Sequence, residues 1–324
     1  MLRTLRNELF LEGAIDAEDT VAPRHHRAEN ERRVDPTSCR HHFVSRRYNL
    51  PRMTSILALD PAWTATEPSG VAVLQQVKER WKCVGLAPSY AQFIELANGT
   101  PVDWSKVPSA GRPDVDALLA AARTLLGGDG VDLVTIDMPV ALTPIRKRRE
   151  ADSAVSQKFG SKGCSTHSPS EVRPGDLGSQ LTDRFKELGY SVATVETPVG
   201  STYVLAEVYP HPALLHLLGK DFRFKYKIGR ASEYWPEKTP VDRRRRIVKN
   251  WRKIVDQLSL TINKIELPLP AKSDLENLPS TSLKRFEDAL DALVGGWVGI
   301  KYLEGDCTAY GDESAAIWIP PKSS

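Results

Sequence analysis

The chain lacks any apolar run of the ~18 residues needed to cross a bilayer, so no membrane span is predicted. It is also poor in cysteine. Cys39, Cys83, Cys164 and Cys307 are widely separated, form no CxxC pair and show no zinc-type spacing with histidine. That excludes a disulfide scaffold and reads as free thiols in a reducing cytoplasm. Charge of one sign is scarce too. The 44 Lys and Arg against 41 Asp and Glu leave a formal net charge of +3, so affinity for nucleic acid must be sought in local clusters. No GxSxG elbow is present, and Ser165 and Ser168 beside His167 in THSP are a weak signal of a serine nucleophile without one. No internal repeat is visible.

The first 52 residues are unlike the rest. They hold ten Arg and no Lys, four of the seven His, and little hydrophobic periodicity after Leu11. They have no apolar signal-peptide core, and eight acidic residues argue against a transit peptide. The segment reads as a disordered basic extension. Met53, directly before the first strong strand pattern, is a candidate native start. The paired histidines 25–26 and 41–42 have no scaffold and read as solvated rather than metal-bound.

Residues 53 to 320 are patterned as one folded domain. SILALD (55–60), GVAVLQQV (70–77) and RWKCVGLA (80–87) read as strands joined by connectors short enough for antiparallel pairing. DVDALLAAARTLLG (114–127) reads as a helix and VDLVTID (131–137) as a buried strand. A polar, irregular stretch (about 139–176) follows, then a helix at 177–190, a short strand candidate at 191–195 and the strand TYVLAEVYP (202–210). Helices at 240–258 and 283–303 close the pattern, with an insertion over about 220–282. Three antiparallel strands followed by parallel additions, flanked by helices, is the predicted α/β architecture.

Two apolar strands end on aspartate, at Asp60 and Asp137, and Glu207 stands likewise near the end of a third. Ligand sites gather at strand C-termini in parallel sheets. Neighbouring carboxylates repel unless a cation lies between them, and hard oxygen donors select Mg²⁺ or Mn²⁺. Asp288 and Asp291, three apart on the last helix, share a face, and Ala289, Ala292, Gly295 and Gly296 keep parts of that helix slim. The bland alternative for each strand-end Asp is a turn former or helix cap.

These residues also carry a resemblance. ALDPAW with SGVAV, TIDMPVAL, RREAD, EVYPHPAL, YK at Tyr226 and Lys227, and EDALDALVGGW stand in the order of domain-of-unknown-function family 429, which is regarded as a set of predicted nucleases with a ribonuclease-H-like fold. The resemblance runs from about Ser55 to Trp297. It implies a metal-dependent site on Asp60, Asp137 and Asp291, with Glu207 as fourth carboxylate. Ribonucleases H usually place a glutamate on the first helix, whereas helix 114–127 has only Asp114 and Asp116 near its start.

Basic residues add candidates for phosphate contact. KDFRFKYKIGR (220–230), if extended, puts rings on one side and charges on the other. Lys225, Tyr226 and Lys227 are therefore candidate substrate contacts, with a lysine-protected edge strand as the alternative. Arg146 to Arg149 follow the second strand-end aspartate and could clamp a phosphate, although Arg149 and Asp152 could equally pair. His211, one turn past Glu207, is a candidate base or substrate contact. Arg243 to Arg246 with Lys249, Arg252 and Lys253 give helix 240–258 a basic surface, either a solvated face or a nucleic-acid groove.

The leading expectation is a Mg²⁺- or Mn²⁺-dependent nuclease acting on nucleic acid or a nucleotide. A non-catalytic nucleic-acid-binding or scaffold protein is the second. An actin-like phosphotransferase shares the sheet order, but DPAWTATEPSG lacks the GxG phosphate loop and no duplicate domain follows.

Overall fold

A computed structural model describes residues 53–322. The arginine-rich extension, its histidines and Cys39 lie outside the described residues. Strands β1 (Ser55–Asp60), β2 (Gly70–Val77) and β3 (Arg80–Ala87) form an antiparallel meander. β4 (Leu133–Ile136) pairs parallel with β1, and β6 (Val204–Val208) pairs parallel with β4. β5 (Ser191–Val192) pairs with β6, β7 (Ile262–Asn263) extends the β3 edge, and β8 (Thr308–Gly311) and β9 (Ala316–Ile319) extend the other. The path through the nine-stranded sheet is β7-β3-β2-β1-β4-β6-β9-β8. The mixed sheet, antiparallel at one side and parallel across its centre, is the architecture expected from the sequence.

Strand alternation sorts the core into two layers. Leu57, Leu59, Val71 and Val73 face α1 (Tyr90–Ala97), α2 (Val115–Leu125) and α4 (Leu177–Glu187) through Phe93, Leu118, Ala122, Leu181 and Phe185. Ile56, Ala58, Ala72 and Leu74 face α5 (Pro210–Leu217), α7 (Pro240–Leu258) and α8 (Ser280–Leu303). A smaller cluster joins α3 (Glu150–Phe159) to β9 through Val155, Phe159 and Ile317. One further short helix, α6 (Ala231–Tyr234), lies before α7. Among the described residues no helix is long and apolar enough to cross a membrane.

Several elements depart from the sequence reading. Helices α1, α3 and α5 and strands β8 and β9 stand where no element was expected. The 220–230 segment is irregular up to a single helical turn at Ile228–Arg230, so its rings and charges do not alternate across an edge strand. α7 matches its expected span, and Thr239 caps it, accepting from the Asp242 amide at 3.2 Å and donating to the Asp242 carboxylate at 2.8 Å.

Candidate functional site

β1 and β4 run parallel with Leu59 opposite Ile136, and the Asp137 amide donates to the Leu59 carbonyl at 3.0 Å. Asp60 and Asp137 are therefore adjacent, one step past the last pair. They follow the parity of Ala58 and Thr135, so both side chains project on the α8 side of the sheet. Asp60 also pairs with Gly70 on β2. A Cβ built on Gly70 would lie 2.0 Å from the Asp288 carbonyl oxygen, so only glycine admits α8 there. Further along, Gly296 and Gly299 rest on Leu74, Ala58, Thr135 and Ile56. The slim face expected of this helix thus lowers Asp288 and Asp291 onto the strand ends.

The result is a nest of five carboxylates, Asp60, Asp137, Glu287, Asp288 and Asp291, with two ammonium groups, Lys227 and Lys284. Lys227 Nζ bonds Asp291 Oδ2 and stands 3.8 Å from Glu287, while Lys284 bonds Asp288 Oδ1 and stands 3.5 Å from Glu287. Tyr226, fully buried, donates its hydroxyl to Asp291 Oδ1 at 2.7 Å. Asp288 is 2 % exposed, and its Oδ2 has no hydrogen-bond partner. Burial first, and then the neighbouring Asp291, push the Asp60 carboxyl well above the usual carboxylate range. Burial raises Asp137 to about 8 and Asp288 to about 7, only partly opposed by the lysines. Burial lowers the Lys227 pKa, but Asp291, Tyr226, Glu287 and Asp60 together outweigh it and hold the ammonium protonated. Asp60, Asp137, Glu287, Asp288, Lys227 and Lys284 line a cleft of about 1130 Å³, and Asp291 lies behind them, outside its lining.

Glu207 also lines the cleft and acts on Asp137, but it stands apart from the nest of five. It pairs with Ile136, one residue short of Asp137, so alternation turns it to the opposite side of the sheet. There Arg149 grips it with two bonds, at 2.5 and 2.7 Å. The remaining Arg149 donors go to Asp152 and the Val140 carbonyl, which occupies the whole fork. Glu207 is thus the buried half of an ion pair, and Arg149 has no donor left for a phosphate. Arg146 is exposed, pairs loosely with Glu171 at 3.7 Å and does not line the cleft. Arg148 ties the THSP loop down instead, bonding Ser168 at 2.8 Å and the Asp152 carbonyl at 2.7 Å. Lys225 turns away from the cleft, its ammonium over Trp235 at 5.8 Å.

His211 lines the cleft, but its Nε2 accepts from Arg223 at 2.5 Å. Burial and Arg223 lower its pKa well below the ordinary value, so the ring is neutral. With Nε2 accepting, the neutral ring carries its proton on Nδ1, which leaves no free nitrogen lone pair for a general base.

Among the described residues no three Asp, Glu, His or Cys side chains meet at metal-ligand distances. The donors nevertheless suit a hard cation. They are all carboxylate oxygens, they outnumber the neighbouring ammonium groups, and one buried oxygen, Asp288 Oδ2, is unpartnered. Asp60, Asp137 and Asp288 are the residues that would hold it.

The sequence profile described as "Protein of unknown function (DUF429)" matches residues 65–315. The chain belongs to this family. No curated protein and no solved structure matches it significantly. The family 429 match takes in Asp137, Lys227, Lys284, Glu287, Asp288 and Asp291, while Asp60 falls just before it. Two of these, Glu287 and Lys284, were not anticipated as site residues. Lys284 stands four before Asp288 on one helix face, a spacing visible in the family 429 stretch KRFEDALD.

Proposed function

We propose that the protein is a divalent-cation-dependent phosphodiesterase acting on nucleic acid, with the strand ends of a ribonuclease-H-like sheet supplying the cation site. The observation that carries this reading is the excess of buried carboxylates over ammonium groups on the cleft floor, with Asp288 Oδ2 left unpartnered. Asp60, Asp137 and Asp288 would hold Mg²⁺ or Mn²⁺. When bound, such an ion lowers the pKa of water and polarises a phosphoryl oxygen.

The chain's own residues serve the phosphate side. Arg173, Arg223 and Arg230 line the same cleft and give it a cationic wall beside the acidic floor. A polyanion that brings a cation with it suits that bipolar surface. Hydrolysis forms one P–O bond to water and breaks one to the leaving alcohol, which takes a proton. The wall holds the flanking phosphates while this happens. Three described cysteines are unpaired, which suits a reducing cytoplasm.

The test pairs calorimetric Mn²⁺ titration with cleavage of labelled DNA and RNA. Wild type should bind and cut, and Asp60→Asn should abolish cutting while keeping the thermal transition. A folded Asp60→Asn variant that cuts as wild type does would sink the reading. The second reading, a nucleic-acid-binding protein without catalysis, draws on the lack of ready-made ligand distances among the described residues. It predicts oligonucleotide binding with no Mn²⁺ heat.

A further inference from the structure

The carboxylates of α8 do not all face the same partner. Glu287 and Asp291, four apart, take hold of three successive residues of the chain. Asp291 accepts from the Tyr226 hydroxyl and the Lys227 ammonium, and Glu287 accepts from the Ile228 amide. Lys227 is further fixed over the Tyr226 ring, 5.1 Å from its centroid. Asp291 is fully buried behind Lys227 and does not line the cleft, whereas the Lys227 side chain is 23 % exposed and does. Asp288 is the contrasting case. It lines the cleft, keeps one oxygen unpartnered and is met by Lys284, whose side chain is 46 % exposed and anchored only within its own helix.

We infer a division of labour, which rests on the phosphodiesterase reading above. Asp60, Asp137 and Asp288 hold the cation. Asp291, with Glu287, is a positioning pair that keeps Lys227 at the cleft floor, and the Lys227 ammonium is a catalytic group donating to a non-bridging oxygen of the scissile phosphate. Lys284 is the removable counter-ion. Two physical points separate the lysines. An ammonium with a carboxylate behind it and an open front is pre-organised toward an incoming anion, and needs no reorganisation as charge develops. An ammonium on an exposed four-carbon stem can swing into solvent at little cost. Metal binding at Asp288 therefore displaces Lys284 and leaves Lys227 in place.

Calorimetry with Mn²⁺ alone, run beside steady-state cleavage of a fluorescent oligonucleotide, tests this. Asp137→Asn should lose Mn²⁺ binding. Asp291→Asn and Lys227→Met should keep Mn²⁺ affinity within about 3-fold while kcat falls by about 100-fold, the scale of one pre-organised donor, with KM changing little. Lys227→Arg should restore part of that kcat, which a purely structural lysine would not require. Loss of Mn²⁺ binding in a folded Asp291→Asn variant makes Asp291 a ligand and overturns the assignment. Mn²⁺ binding tightened about 30-fold or more by Lys227→Met makes Lys227 the displaced counter-ion, and overturns it too. If Asp291→Asn does not fold, the two Lys227 variants decide. A wild type that binds no Mn²⁺ overturns the parent reading and this one together, and is told apart from the other failures because in those wild-type binding persists.

Discussion

Gly70→Ala tests whether the site depends on how closely α8 approaches the sheet. The new Cβ would sit 2.0 Å from the Asp288 carbonyl oxygen, 2.4 Å from its carbon and 3.0 Å from the Ala289 nitrogen. A carbon rarely comes nearer to a carbonyl oxygen than about 3.3 Å, so backbone must move by roughly 1.3 Å. Neither neighbour yields easily. β2 is hydrogen-bonded on both sides, and the obstructing atoms belong to the helix backbone itself. Overpacking of this kind costs about 1–3 kcal/mol, with the upper end expected here because no flexible side chain can give way. The displaced residue is Asp288, whose backbone packs on Gly70, the β2 partner of Asp60. A shift of about 1 Å at a reacting centre can cost about 100-fold in rate, so cleavage should fall further than stability alone explains. Urea unfolding measures the first effect on Gly70→Ala, and oligonucleotide cleavage with Mn²⁺ calorimetry measures the second. Gly111→Ala, with open space around the new methyl, serves as the neutral control. A Gly70→Ala protein with wild-type stability and wild-type Mn²⁺ affinity would refute the claim that this contact sets the site.

Other perturbations have equally definite outcomes. Without divalent cation, Asp137 titrates at about 8 in the folded chain against an ordinary 3.8, so folding takes up a proton. That contribution is full below the unfolded value and is lost as pH rises through about 8; between about pH 5.5 and 8.5 it should cost on the order of 3 kcal/mol. Melting temperature should fall over that range, saturating Mn²⁺ should flatten the slope, and a flat profile without metal would count against the buried acid cluster. Arg149→Met leaves Glu207 and Asp152 buried without their partner and should cost about 3–5 kcal/mol in urea unfolding. Adding Glu207→Gln should recover part of that loss, and a penalty under about 1 kcal/mol would refute the pairing. Lys284→Met removes the ammonium from Asp288 and should tighten Mn²⁺ binding several-fold by calorimetry. Weaker binding would show that Lys284 supports the site rather than screening it.

Asp60 and Asp137 were legible in the sequence because each ends a strongly apolar run, and such runs reveal both strand and exit. The glycines and alanines of α8 were legible for a similar reason: small residues at helical spacing have meaning only against a neighbouring surface. Glu207 was not, because its membership of a strand end is visible in one sequence but its parity is not. A single step in the β4–β6 register decides which side of the sheet it serves. The α7 basic run was opaque in another way. Arg243, Arg244 and Arg252 donate to the carbonyls of Trp235, Leu275 and Pro270, at 2.9, 3.0 and 2.6 Å. Arginines that fasten irregular loops look, as letters, like arginines that await phosphate. α3 had a signal in Ala151, Val155 and Phe159, apolar every fourth residue, but the polar letters between them masked it.

The acidic floor joins the first strand of the described fold to its last helix. A chain interrupted between Asp137 and Asp288 carries both strand-end aspartates but not the helix carboxylates that complete the floor. The acidic cluster is therefore a long-range product of the fold, present only where both ends of the described domain are packed together.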